Sequence, residues 1–257
     1  MPDEPPLARR DVIASRLAQG HSVVAGALAH EFAVSEDAIR RDLRALADEG
    51  LCRRVYGGAL PIAPASVTMT SRIEVGRERK LTLARAAAAT IKPREFVFLD
   101  SGSTNLALAA VLPEDYELTV ATNSVDIAAA LLRRQDLKLV MIGGPVDPLI
   151  GGCVDGAAVQ SVAQLNIDRC FIGACAISVN TGVSAFHSSD ATFKRAFIDV
   201  SEHCSTLITT DKFDARGPHR IASLAQIETL VVEHDAPAHI LNQLTRAGLS
   251  ILQAEPG

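Results

Sequence analysis

Five of the twenty arginines in this chain fall between positions 40 and 54: Arg40, Arg41, Arg44, Arg53 and Arg54. Guanidinium groups gathered this closely can fork onto a guanine edge or hold backbone phosphates. Arg40 and Arg44 are spaced i, i+4 and share one helix face, with Arg41 about 100° round from Arg40. All three project away from an apolar stripe of Ile39, Leu43 and Leu46. Ser35 stands where an N-cap is needed, and Glu36 and Asp37 in the first turn complement the positive helix end. Ala38 takes the third helical position, so the reciprocal capping box is absent. Arg53 and Arg54 precede Tyr56 and the pair Gly57-Gly58, a strand, turn, strand pattern that reads as a small wing. On charge alone, the same arginines could equally balance Glu36, Asp37, Asp42 and Asp48 on a solvated face.

A second constellation is Asp100-Ser101-Gly102-Ser103-Thr104, placed between a predicted strand ending at Leu99 and a helix starting near Asn105. Here Gly102 is expected to let the backbone turn, so that amides and the hydroxyls of Ser101, Ser103 and Thr104 form a phosphate cradle. Thr122-Asn123-Ser124 ends the next strand and is expected to stand beside it. The eight-residue Walker spacing and its Lys are missing. A Ser/Thr helix cap without a ligand is the competing reading. Lys is used five times against twenty Arg, so Lys194, set between Phe193 and Phe197, hints at a site that wants a compact point charge, with a solvated lysine as the competing reading.

The elements that must position these groups are read from hydrophobic periodicity. Helices are predicted over 7–19, 25–32 and 37–48, with 21–24 as an extended connector and Gly50 as a helix stop. The first helix is expected to pack Val12, Ile13 and Leu17. Residues 51–59 form the wing, which gives a winged helix-turn-helix over 1–60. Residues 61–72 open with Pro61 and Pro64 among small polar residues and read as a linker. The larger domain, 73–257, begins with an alanine-rich helix over 77–91. Predicted strands (96–99, 118–121, 137–142, 169–172, 206–209, 229–232) then alternate with helices (105–112, 125–134, 190–201, 237–247). The expected fold class is α/β, with a mostly parallel sheet covered on both faces and ligands bound at the strands' carboxyl ends.

Composition narrows the function classes. A length of 257 residues fits one small and one medium domain. The net charge of −5 argues against a broadly basic nucleic-acid binder, so any DNA contact must be the local arginine cluster. No apolar stretch is long enough to span a bilayer and the opening residues lack a signal-peptide plan, so a cytoplasmic protein without membrane contact is expected. Cys52, Cys153, Cys170, Cys175 and Cys204 form no C-x-x-C pair, and the seven histidines form no ligand spacing. Neither a metal nor a cofactor is expected.

Val34-Ser35-Glu36, Ile39-Arg40-Arg41-Asp42-Leu43, Leu46, Gly50-Leu51 and Gly57-Gly58-Ala59 together resemble the DNA-binding signature of the DeoR family of transcriptional regulators. The likeness continues through Lys80, Leu99 to Thr104, Thr122 to Ser124, Gly143-Gly144, Asp168, Phe171 to Ala174, Lys194 and Lys212-Phe213. It implies a sensor domain shaped like the sugar-phosphate isomerases. It further implies operator contacts from Ser35, Asp37, Ala38, Arg40, Arg41, Arg44, Arg53, Arg54 and Tyr56. Effector contacts are implied for Asp100, Ser101, Gly102, Ser103, Thr104, Thr122, Asn123, Ser124, Gly144, Lys194 and Lys212. The chain departs from the family at Ala38 (usually Thr), Tyr56 (usually His), Asp147 (usually basic) and Thr209 (usually Asp). The implied function is regulation of a sugar or polyol operon, as a repressor modulated by a phosphorylated sugar. A single winged helix binds DNA weakly at physiological salt, so a homodimer or homotetramer is expected. Two alternatives stand beside it: a sugar-phosphate isomerase-like enzyme, for which Asp100, Asp155 or His187 could be the base, and a regulator whose second domain only oligomerises.

Overall fold

Ile13 and Leu17 lie one turn apart on helix α1 (Pro6–Ala18) and are both buried. Val12, expected beside them, is instead more than a third exposed. A short strand β1 (Val23–Val24) leads into α2 (Ala25–Glu31). Ala33 then takes a left-handed φ of 53° and turns the chain into α3 (Glu36–Asp48). Ile39, Leu43 and Leu46 of α3 meet Ile13, Leu17, Leu28 and Cys52 in one apolar core. Arg9 of α1 pairs with Asp42 of α3 at 2.7 Å, which fixes the two helices' relative position. Gly50 lies outside the described residues; the Leu51 amide donates to Leu46 O at 2.8 Å and closes the helix end.

The wing consists of β2 (Cys52–Val55) and β3 (Gly58–Pro61), antiparallel around Tyr56-Gly57. β1 pairs with the other side of β3, so residues 23–24 are a third strand rather than a bare connector. The computed structural model describes residues 6–18, 23–49, 51–61, 68–213 and 216–256. These fall in two compact units, Met1–Ser71 and Arg72–Gly257. The predicted linker over 61–72 is corrected at both ends. Pro61 closes β3 opposite Cys52, and Thr68 caps helix α4 (Met69–Glu74) by accepting the Ser71 amide at 3.3 Å. The polar residues that read as loop are in part a helix cap.

The second unit is built on a seven-stranded sheet. Its elements in chain order are α5 (Arg77–Ala88), β4 (Phe96–Leu99), α6 (Ser103–Ala109), β5 (Thr119–Thr122), α7 (Val125–Leu131), β6 (Lys138–Met141), β7 (Val146–Asp147), β8 (Gly152–Cys153), α8 (Gly156–Val162), β9 (Ile167–Ile172), β10 (Ala176–Ser178), β11 (Gly182–Ala185), α9 (Ser188–Asp199), β12 (Ser201–Ile208), β13 (His219–Ala222), β14 (Thr229–Val232), α10 (Ala238–Arg246) and β15 (Ser250–Gln253). The order β15-β14-β12-β9-β4-β5-β6 is parallel throughout. From β4 the chain steps outward through β5 and β6, then returns to β9 on the other side of β4. The winding therefore reverses between β4 and β9, which opens a crevice at their carboxyl ends.

Separate apolar clusters pack on the two faces, one around Leu83, Leu108 and Ile127, the other around Phe98, Phe193 and Phe197. Phe98 stacks on Phe197 with centroids 4.6 Å apart and anchors α9 beneath the crevice. At the opposite end of the strands, Arg169 forks onto Glu95 with two bonds of 3.0 Å, and Asp168 accepts the Phe96 amide at 2.6 Å. A small antiparallel sheet, β10-β11-β13, was not foreseen from sequence, and neither were β7, β8, α8 and β15.

Gly58 is the position that holds the wing to the helices. A Cβ there would lie 2.0 Å from the Val23 carbonyl oxygen. Gly58→Ala should therefore push β1 off β3 and destabilise the N-terminal unit by roughly 1–3 kcal/mol, the cost of forcing extra volume into a packed site. Calorimetry of the full chain measures this; an unchanged N-terminal transition would contradict it.

Candidate functional sites

On the helix-turn-helix, Ser35 caps α3 by accepting the Ala38 amide at 3.3 Å. Arg40 folds back along the helix onto Glu36 (2.6 Å) and Asp37 (3.0 Å). Asp42 is taken by Arg9. Arg41 and Arg44 are exposed and have no hydrogen bond or ion pair among the described residues. The predicted cluster thus divides into one arginine balanced within its own helix and two left to solvent. Arg54 is exposed on β2, and Tyr56 is fully exposed at the wing turn. Arg53 lies in β2, opposite Leu60.

In the second unit, Asp100 comes directly after β4 and is fully buried at the point where the sheet order reverses. Its Oδ2 accepts the Gly173 amide at 2.7 Å and the Lys194 ammonium at 2.5 Å. Lys194 also lies 2.8 Å from Asp190, one turn earlier on α9. Burial, only partly offset by Lys194 and reinforced by Asp190, lifts the Asp100 carboxyl to about 6. Burial would lower Lys194, but the two carboxylates outweigh it and keep the ammonium charged. Lys194, expected to reach a ligand alone, is the centre of a buried triad. Asp190 was missed, although its i, i+4 spacing to Lys194 is visible in the sequence.

The loop after Asp100 differs from expectation in one respect. Gly102 has an extended φ of 165°, and an added Cβ would sit 3.7 Å from Gly173 Cα, an ordinary contact. No turn demands glycine there. The close approach is at Gly173 instead, where a Cβ would meet Ser101 O at 2.5 Å and Asp100 Oδ2 at 2.9 Å. The Oδ1 of Asp100, the Oγ of Ser101 and the Oγ1 of Thr104 are buried and have no hydrogen-bond partner among the described residues. The amides of Gly102, Ser103, Thr104 and Asn105 have no acceptor among the described residues.

Thr122, Asn123 and Ser124 stand beside this loop, but their side chains are engaged with backbone, those of Thr122 and Asn123 at the loop and its strand and that of Ser124 at α7. Thr122 Oγ1 donates to Leu99 O at 2.6 Å, Asn123 Oδ1 accepts the Ser101 amide at 3.0 Å, and Ser124 Oγ caps α7 through the Ile127 amide at 3.4 Å. Gly144 has a φ of 143° and stands against Asp155, which caps α8 through the Ala158 amide at 3.0 Å. Asp147, at a place where the family is usually basic, accepts the Leu149 and Ile150 amides at 2.8 and 3.3 Å.

Lys212 belongs to a 3-10 turn, Thr210–Lys212, and its ammonium has no hydrogen bond or ion pair among the described residues. Burial pushes its ammonium down from the ordinary value; Arg72 and Lys194 add to this and Asp211 opposes it. Buried Lys80 of α5 donates to Arg72 O and is lowered to about 8, by burial first and then by Lys212, Arg72 and Arg79 against Asp211. Lys212 thus lies near enough to both Lys80 and Lys194 for the charges to interact, while the remaining lysines, Lys92 and Lys138, are exposed. No described group of three or more His, Cys, Asp and Glu could hold a metal ion, and no described helix is long and apolar enough to cross a membrane.

Residues 9–64 match the DeoR-like helix-turn-helix domain and residues 76–234 the DeoR C terminal sensor domain. An Escherichia coli O157:H7 protein whose name assigns it to transcriptional repression of the aga operon is 31% identical, over 95% of this chain and 92% of its own. The glycerol-3-phosphate regulon repressor of E. coli K12 is 27% identical, over 85% of this chain and 87% of its own. A ribose 5-phosphate isomerase from Methanocaldococcus jannaschii is similar over 53% of this chain and 54% of its own, at 14% identity and a TM-score of 0.39, too loose a likeness to argue from. The matched domains and the names of the relatives are those of regulators and not of enzymes. With both domains matched in order and a relative aligned along nearly the whole length, the chain belongs to the DeoR family of DNA-binding transcriptional regulators.

Proposed function

We propose that this regulator is a repressor of a sugar or polyol catabolic operon, released by a phosphorylated sugar or polyol that binds at the carboxyl ends of β4 and β9. The observation that carries this reading is the set of buried oxygens without partners in one loop: Asp100 Oδ1, Ser101 Oγ and Thr104 Oγ1. Buried polar atoms without partners are rare and costly. Asp100, as a carboxylate, wants a hydroxyl donor. The two hydroxyls and the free loop amides suit a phosphate, and Lys80 and Lys212 supply matching charge. A ligand that carries both hydroxyls and a phosphate satisfies all of them. In this reading Thr122, Asn123 and Ser124 position the loop, Lys194 fixes Asp100, and Gly102, Ser103 and Gly144 border the ligand. The names of the relatives, one for glycerol 3-phosphate, support the same class.

On DNA, Arg41 and Arg44 are the side chains best placed to meet bases and phosphates. Ser35, Asp37 and Ala38 lie at the helix end next to them, and Arg53, Arg54 and Tyr56 come from the wing. Half-site recognition then calls for a homodimer or homotetramer.

Arg41→Ala or Arg44→Ala should each weaken operator binding by about 1–3 kcal/mol where a base contact is lost. Arg40→Ala should cost less, because Arg40 is already balanced by Glu36 and Asp37. Fluorescence anisotropy against operator and scrambled DNA separates these, and an equal loss in all three variants would remove the distinction.

Ligand binding should also depend on pH in a way an ordinary lysine would not produce. Protonated Lys80 attracts the phosphate, so the charge is present below about 8 and is lost as pH rises through it. The ligand's second phosphate ionisation lies near 6, so the ligand stays dianionic. Between pH 7 and 9, affinity for glycerol 3-phosphate or a hexose phosphate should fall about tenfold, one titration's worth of lost charge. Thermal shift against a panel of phosphates measures this. A constant response up to pH 10 would place the phosphate away from Lys80, and no stabilisation by any phosphate would favour a domain that only oligomerises.

Gly173→Ala should abolish the ligand's thermal shift, because its Cβ collides with Ser101 O and displaces Asp100. Gly102→Ala, with room for the methyl, should weaken binding far less. The reverse order would restore the turn-forming role expected for Gly102 from sequence.

A further inference from the structure

Glu233 comes directly after β14, and its side chain is nearly buried, with 6% of its surface exposed. Both carboxylate oxygens are held. Arg79 forks across them through Nε and Nη2, and Oε2 also accepts the Thr210 amide at 2.7 Å and the Thr210 hydroxyl at 2.6 Å. Burial alone would raise this carboxyl, but the bonds from Arg79 and Thr210 outweigh it and keep the group ionised.

Each partner of Glu233 sits next to, or within one turn of, a lysine: Lys80, which is buried, or Lys212, which is partly buried. Arg79 immediately precedes Lys80 on α5. Thr210 opens the 3-10 turn that ends in Lys212, and that turn is closed by the Lys212 amide bonding to Thr209 O at 3.0 Å. Lys80 and Lys212 repel each other: after burial, Lys212 has the largest influence on the Lys80 charge. Two like charges on separate segments drift apart unless the segments are tied. The buried tie is Glu233, since Arg79 and Thr210 both end on it; Asp211 adds a more exposed ion pair to Arg79 at 3.7 Å.

Resting on the reading of Lys80 and Lys212 as the cations that meet the ligand's phosphate, we infer that Glu233 is a positioning residue of the sensing site, holding these two ammonium groups at one spacing through Arg79 and Thr210 and thereby setting its affinity for a phosphomonoester. Its reach is long in sequence, 154 residues from Arg79 and 23 from Thr210. Charge-assisted bonds of this kind are strong and geometrically specific.

The test uses the full-length protein and inorganic phosphate at constant ionic strength. Glu233→Gln keeps the volume and one acceptor but removes the charge on which Arg79 forks. Phosphate affinity from thermal shift should fall about tenfold, the scale of one lost charged hydrogen bond. Arg79→Met should do the same, and the double variant should be no worse than the weaker single, as expected for residues acting as one unit. A second readout reports the geometry itself. With only five lysines in the chain, reductive 13C-dimethylation gives a small set of NMR resonances. In Glu233→Gln the Lys80 and Lys212 signals should move toward those of exposed Lys92 and Lys138, which stay in place. A merely stabilising carboxylate would lower the melting temperature and leave these signals where they are. Parent-like phosphate affinity, or unmoved Lys80 and Lys212 signals, overturns the inference. Should Glu233→Gln not fold, Arg79→Met on the half-exposed partner decides alone. Lys212→Met separates the two levels. If it binds phosphate like the parent, the placement of the anion falls and the inference falls with it. If it loses phosphate while Glu233→Gln does not, only the positioning role falls.

Discussion

Asp100 is a carboxylate with no exposed surface, held where the winding of a fully parallel sheet changes direction, and three groups meet on its one inward oxygen or beside it. The Gly173 amide comes from the end of β9, the Lys194 ammonium comes from α9, and Asp190 shares that ammonium. A buried carboxylate without such partners would protonate, and breaking a pair of this kind commonly costs about 3–5 kcal/mol. The constraint propagates outward. For the amide to reach Oδ2, the β9 end must approach the β4 loop so closely that position 173 can carry no Cβ. For Lys194 to reach it, α9 must be seated by Phe193 and Phe197 against Phe98. Asn105 and Asn123 then hold the backbone of the same loop from either side.

The helix-turn-helix solves a different electrostatic problem. A domain with nine acids against eight arginines must still present positive charge to DNA. Most of its acids are paired with arginines of α1 or with Arg40. Asp42 goes to Arg9, Glu31 to Arg16 and Glu49 to Arg10. Arg40 absorbs Glu36 and Asp37. Arg41 and Arg44 remain exposed and unpaired on α3. Net charge therefore says little here, and the distribution of ion pairs says much.

The alternation of apolar strands with helices was legible because inner strands of the main sheet such as β4, β5, β9 and β14 are buried nearly throughout and read as short, largely apolar runs. The small antiparallel sheet was not, since strands such as Gly182–Ala185 carry Gly and Ser without alternation. At the site, residue types were legible but roles were less so. Glycines at 102 and 173 look alike in sequence, and only the approach of β9 to β4 shows which one the fold requires. Thr122, Asn123 and Ser124 read as ligand contacts, yet backbone groups occupy their side chains. Asp190 could have been found from its helical spacing to Lys194. Glu233 could not, because its partnership with Arg79 exists only once the parallel sheet has brought the end of β14 beside α5.

The two shifted groups of the sensing region point to how it can respond to a ligand at all. Asp100 lies above its ordinary value, so its favourable contribution is present in acid and lost as pH rises through about 6. Lys80 lies below its ordinary value, so its favourable contribution is present in strong base and lost as pH falls through about 8. Near neutral pH both groups are held in the charged forms that burial disfavours. Fold stability is thus lower in this region than its packing alone would give. On the proposed reading, an anion beside Lys80, with a hydroxyl on Asp100, would relieve both at once and link binding to stability. A site whose charges were already satisfied would have little to gain from a ligand and little reason to change with one. On the same proposed reading, the partial mismatch at Asp100 and Lys80 suits this domain to sensing, with Lys194 bonded to Asp100.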